Sequence, residues 1–261
     1  AGDISYNGRP DQYALAEDRF VNDLMGPLWG KNNIQRYRDR IVLIPGNHDV
    51  NLRFSACDNR KFNPSLKVFE DETPVHEADN GQYICHHDYA LEPFRRFARL
   101  LTKDRNWVES RNMSWLDRRF LHCGIRFFLM NSVSELNATK YEYASFNKND
   151  LIKIGRGLVD DDSDSIFSIA VSHHGLRPVG AEDRVKEVCN WSDVGCEFFS
   201  IHKIRLWLYG HYHDFDARSI NSKPFDKTPL WLIQAPTTRV NVKDRGFCVL
   251  ELVRQEGKVI D

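Results

Sequence analysis

Three short apolar runs in this chain each stop at a cluster of side chains able to hold metal ions. Ile41-Val42-Leu43-Ile44 stops at Pro45 and runs into Gly46-Asn47-His48-Asp49. Ile166 to Val171 stops at Ser172-His173-His174-Gly175, and Ile204 to Tyr209 stops at Gly210-His211-Tyr212-His213. Runs of four to six apolar residues bounded by Gly or Pro read as buried strands. In open α/β sheets the strand ends of like direction share one edge, and sites gather there. The pattern therefore predicts an α/β fold in which separate strands deliver Asn47, His173 and His211 to one place.

The rest of the chain is read around those strands. Leu15, Phe20, Leu24 and Leu28 recur near the helical period, so a helix precedes the first run, with this set as its buried stripe. Residues 52–120 are polar, charged and irregular, with one helix-like stretch around Phe94, Phe97, Leu100 and Leu101. They read as a cap or rim inserted within a single domain spanning 1–261. Phe120 to Met130 reads as two strands turning at Gly124, and a helix is expected at 148–159. Leu230–Gln234 and Gly246–Leu252 complete the expected strands.

Composition removes several classes of function. Lys plus Arg total 36 against 37 Asp plus Glu, so no strongly basic coat for nucleic acid exists, although a local patch is allowed. No apolar run approaches the roughly 20 residues of a membrane-spanning helix, and no membrane partner is expected. The six cysteines lack any Cys-x-x-Cys spacing and read as buried thiols of a reducing, cytoplasmic setting.

The donors suit a pair of hard or borderline divalent ions, with Mn, Fe and Zn all compatible. Asp3 can bridge two ions, Asn47 offers an amide oxygen, and His173, His211 and His213 offer nitrogens. His211 and His213 alternate by two, so an extended segment aims both to one side. Gly-Asn-His-Asp arises by chance in roughly one chain in a thousand, which makes it the most specific fragment.

Gly2-Asp3, Gly46-Asn47-His48-Asp49, His173 and Gly210-His211-Tyr212-His213, in this order, resemble the calcineurin-like metallophosphoesterase family. The resemblance implies a four-layer α-β-β-α sandwich of two mixed sheets flanked by helices. It implies that Asp3 bridges both ions, that Asn47, His173 and His211 hold one, and that His213 holds the other. His48 would serve the leaving oxygen, Asp49 would shape the loop, and His174 would face the substrate or sit behind the ligands.

The family's opening Asp-x-His does not precede Gly2-Asp3, which leads us to expect a segment of roughly 30 residues upstream. The alternative is a member with one ion site crippled, acting as a binding or scaffold subunit. Gly2-Asp3-Ile4-Ser5 with Pro45 to Val50 looks like the bacterial cyclic-nucleotide phosphodiesterase branch, and ending in Asp49 disfavours the phosphoprotein phosphatases. A phosphate-ester substrate is implied, with a nucleotide or nucleic-acid diester preferred over a monoester.

Arg95, Arg96 and Arg99, interleaved with Phe94 and Phe97, either meet phosphates or face water above a Phe97/Leu101 stripe. Cys85-His86-His87-Asp88 is a weaker candidate for a second metal cluster.

Overall fold

The computed structural model describes residues 2–51, 60–63, 68–71, 76–77, 83–84, 90–102, 113–136, 144–158, 166–176, 188–236, 249–255 and 258–260. Cys85-His86-His87-Asp88 lies outside the described residues, as do most of 52–89 and residues 103–112.

The centre is a mixed six-stranded sheet. Its strands are β1 (Trp115–Asp117), β2 (Ile125–Leu129), β3 (Phe167–Val171), β4 (Ile204–Tyr209), β5 (Asp216–Ile220) and β6 (Leu230–Gln234), in the spatial order β1-β2-β3-β4-β6-β5. The inner four run parallel, and the two edge strands run antiparallel to their neighbours. A sheet with parallel inner strands must be covered on both faces, and its side chains sort accordingly. Phe167, Ile169 and Val171 join one core layer with Tyr13, Phe94, Phe97 and Leu43. Ala170, Trp207 and Tyr209 join the other with Leu151, Ile154 and Phe199. The α/β architecture with flanking helices is as expected from the sequence. Beyond this sheet, the described residues contain three two-stranded antiparallel pairs.

Four details differ from the sequence reading. The first helix, α1 (Pro10–Arg19), runs into a π turn at Phe20–Met25 and then α2 (Gly26–Trp29). A π turn inserts one residue into the helical register. Met25 and Trp29 therefore take the inward places that an unbroken period assigns to Leu24 and Leu28, which are 45% and 64% exposed. Leu15 is also exposed.

Ile41–Ile44 is extended and packed in the core, but it makes no strand ladder among the described residues. Leu121–Cys123 is a 3-10 turn, so β2 pairs with Trp115–Asp117 instead. The turn at Gly124 is kept, with φ +70. Residues 249–252 are not a strand; the terminal hairpin is Val253–Gln255 with Lys258–Ile260, and 246–248 lie outside the described residues.

Helix α3 (Glu92–Thr102) buries Phe94, Phe97 and Leu101 against α1, leaving Arg96 and Arg99 exposed and Arg95 half-buried beside Glu92. The helix at 148–156 forms as read, capped by the Asn147 side chain, which accepts from the Asn149 and Asp150 N–H groups. Among the described cysteines, Cys123 and Cys189 are exposed and Cys196 is half-buried. They sit at turns and at a helix start, where little core is available to cover them, so the buried reading does not hold for them. No helix of the described residues is long and apolar enough to cross a membrane.

Candidate metal centre

At the carboxyl edge of the sheet the ladder continues past the strands. The Ser172 N–H donates to the Leu208 carbonyl at 3.1 Å, and the Gly210 N–H donates to the His173 carbonyl at 3.0 Å. That register holds His173 beside His211. The Trp207 Nε1–H donates to Ser172 Oγ, and the Ser172 hydroxyl donates to the His174 carbonyl, bracing the same turn from the core side.

Asn47 comes from a different direction, on a single 3-10 turn over Asn47–Asp49. This turn is organised by Asp49, which is fully buried. Its carboxylate accepts the N–H groups of Gly46 at 2.9 Å, Ser5 at 2.9 Å and Ile4 at 3.3 Å, and the Tyr13 hydroxyl at 2.9 Å. Burial pushes its pKa up to about 6, against the pull of those donors. One carboxylate thus fastens the Gly2–Ser5 segment to the Gly46–Asp49 turn.

The two backbones touch there. A Cβ on Gly46 would stand 2.3 Å from Asp3 N and Oδ1, and one on Gly2 would stand 2.4 Å from His173 Nδ1. Both positions need glycine, and Gly2 also has φ +74. Asp3, His211 and His213 have φ of +55, +77 and +69 without being glycine. Such backbone is costly, and here it coincides with the candidate ligands.

Four donor atoms converge as a result. His173 Nε2 lies 2.9 Å from Asn47 Oδ1, 3.2 Å from His211 Nδ1 and 3.4 Å from Asp3 Oδ2. His211 Nδ1 lies 3.2 Å from Asn47 Oδ1. An ion about 2.1 Å from each of several N and O donors sets neighbouring donors roughly 3.0–3.4 Å apart, between octahedral and tetrahedral geometry. The measured separations span that interval, so these residues fit a divalent ion.

Burial opposes the charge of Asp3, but His173, His48 and His211 around it and the His48 N–H outweigh burial and hold its carboxyl below the usual range. Its Oδ1 accepts the His48 N–H at 3.1 Å.

The other predicted residues stand around this group. His174 is fully buried, with its ring 4.3 Å from that of His211 and Nδ1 3.0 Å from Ser132 Oγ. Burial, then His173 and His211, hold its pKa well below the ordinary histidine value, so it is neutral. Its Nε2 makes no hydrogen bond, and its ring nitrogens and those of His173 and His211 offer atoms within 4.8 Å of one another. His213 is half-buried two residues beyond His211 and stands outside the four atoms measured above. His48 is half-buried, with Nδ1 3.0 Å from the Tyr6 carbonyl.

Sequence reasoning missed Ser132, which follows β2 and carried no motif, and Gln12, whose Oε1 accepts the N–H groups of Tyr6 and Asn7.

A family model described as calcineurin-like phosphoesterase matches residues 1–215. No curated protein matches the chain.

Proposed function

The chain belongs to the calcineurin-like phosphoesterase family, and on that premise we propose that it is a dinuclear-metal phosphodiesterase acting on a nucleotide or nucleic-acid diester. Metal-dependent hydrolysis of a phosphoester follows from the family. The diester, its nucleotide character and the residue roles are our reading.

The observation that carries it is the convergence of Asp3 Oδ2, Asn47 Oδ1, His173 Nε2 and His211 Nδ1 within 2.9–3.4 Å for each pair measured. Two divalent ions held here would supply a nucleophilic water at neutral pH and neutralise phosphate charge, whether Mn, Fe or Zn. Asp3 would serve both ions, Asn47, His173 and His211 would hold one, and His213 would contribute to the other. His174, braced by Ser132, fixes the ring of His211 from behind.

His48 acts on the leaving oxygen. A carbonyl only accepts, so the contact with Tyr6 puts the ring hydrogen on Nδ1 and leaves Nε2 on the opposite edge for the substrate. The diester preference is supported by Asp49 at the end of Gly46-Asn47-His48 and by Ile4-Ser5 after Asp3. The exposed Arg96 and Arg99 of α3 are available to phosphates.

Assay of the full-length protein on bis-p-nitrophenyl phosphate against p-nitrophenyl phosphate tests the substrate class. Faster turnover of the diester is expected; a clear preference for the monoester overturns the choice.

A further inference from the structure

We propose that Gln12 and Tyr6 are positioning residues for His48, an inference that rests on His48 serving as the proton donor. The loop from Ser5 to Gly8 has the composition of a mobile surface turn, Ser-Tyr-Asn-Gly, and Tyr6 is 65% exposed. It is nevertheless tied from both sides. Gln12, in α1, turns back so that its Oε1 accepts the Tyr6 N–H at 3.2 Å and the Asn7 N–H at 3.1 Å. Ser5 Oγ accepts the Gly8 N–H at 2.9 Å and lies 3.0 Å from the His48 carbonyl, to which it can donate.

What this clamp presents to His48 is a carbonyl and a ring. The Tyr6 carbonyl takes the Nδ1 hydrogen at 3.0 Å, and the Tyr6 ring lies nearly parallel to the imidazole, at 18° and 5.7 Å between centroids. The main chain of His48 is held separately, by Asp3 Oδ1. The backbone is therefore fixed by Asp3, and the ring plane and tautomer by the ring and the carbonyl of Tyr6, so a single orientation of Nε2 remains. In the reaction the bond between phosphorus and the attacking water oxygen forms as the bond to the leaving oxygen breaks, and the proton lost by that water passes to solvent. The Nε2 proton of protonated His48 passes to that leaving oxygen. His48 is left neutral with Nδ1–H still on Tyr6, and solvent restores its proton. Neither Tyr6 nor Gln12 touches the reacting atoms; they act by keeping Nε2 aimed.

The test compares Gln12→Ala, Gln12→Glu, Tyr6→Leu and His48→Ala on diesters whose leaving groups range from p-nitrophenol to an unactivated nucleoside alcohol. p-Nitrophenolate leaves with little help from an acid, so misaiming the donor should cost little there. Gln12→Ala is expected to lose about tenfold in kcat with the nucleoside leaving group and under about threefold with p-nitrophenol, at unchanged KM and metal content. Gln12→Glu keeps an acceptor oxygen at the same reach and restores the rate. Tyr6→Leu keeps the carbonyl but not the ring and gives a smaller loss of the same leaving-group dependence.

Nitrogen NMR of the metal-free protein, at a pH that keeps His48 neutral, provides a readout independent of turnover. Wild type shows the ring hydrogen on Nδ1, and Gln12→Ala shows a mixture with Nε2–H. Equal losses for all leaving groups, or an unchanged tautomer, overturn the positioning role alone when His48→Ala shows the leaving-group dependence. If His48→Ala lacks that dependence too, the acid role itself is wrong and both fail.

Discussion

The strand ends at His173 and His211 and the loop at Asn47 supply one set of donor atoms but are held in different ways. On the strand side, geometry is inherited from the sheet. Parallel pairing of β3 with β4 continues through Ser172 and Gly210, and many backbone bonds share the task. On the loop side, one buried carboxylate gathers three backbone N–H groups and a phenol. The ladder tolerates the loss of any one side chain outside the site, whereas the loop depends on Asp49. Precision at a site can thus come from redundancy or from a single anchor, and the two have different weaknesses.

Substitutions sharpen that contrast. The largest effect is expected at a ligand, where both sides meet. His173→Ala should lower turnover by about 10⁴-fold or more and reduce bound metal, read by metal analysis beside kinetics. His48→Ala should lower it by about 10²–10⁴-fold while metal content stays near wild type. Loss of metal in that variant would mean that His48 is a ligand.

Asp49→Asn addresses the anchor. An amide places a donor against N–H groups that now meet an acceptor, so the variant should lose about 2–4 kcal/mol in chemical denaturation. It should also loosen the Gly46–Asp49 turn while leaving the β3–β4 register intact, as seen by amide exchange. Protection lost equally at Gly210 and Gly46 would erase the distinction between the two sides. The smallest effect belongs to the outer helical face. Leu24→Ser should stay within about 0.5 kcal/mol of wild type, whereas Met25→Ser, one residue on, strikes the core.

The same contrast explains what the sequence disclosed. His173, His211 and their strands were legible because an apolar run followed by a polar cluster is a local pattern, and local patterns survive in sequence. Ile204–Tyr209 and Leu230–Gln234 fall where they were expected. Leu24 and Leu28 were misassigned because a one-residue π insertion has no compositional mark, yet it rotates everything after Phe20, while Leu15 on α1 is exposed independently of it. Ile41–Ile44 carries strand composition, but a ladder also requires a paired neighbour. Ser132 and the grip of Asp49 on Ile4, Ser5 and Tyr13 depend on contacts between distant positions, which no single window of sequence contains, whereas Gln12 lies near Tyr6 and Asn7 in sequence but its side-chain contact follows no residue pattern.

The central claim is that these two differently built sides close around catalytic divalent ions. It is tested most directly by measuring metal content and turnover of bis-p-nitrophenyl phosphate in the full-length protein, before chelation, after it, and after metal is returned. The account predicts two ions per chain, loss of turnover on their removal and recovery on re-addition. Undiminished turnover by protein with no detectable metal would contradict it.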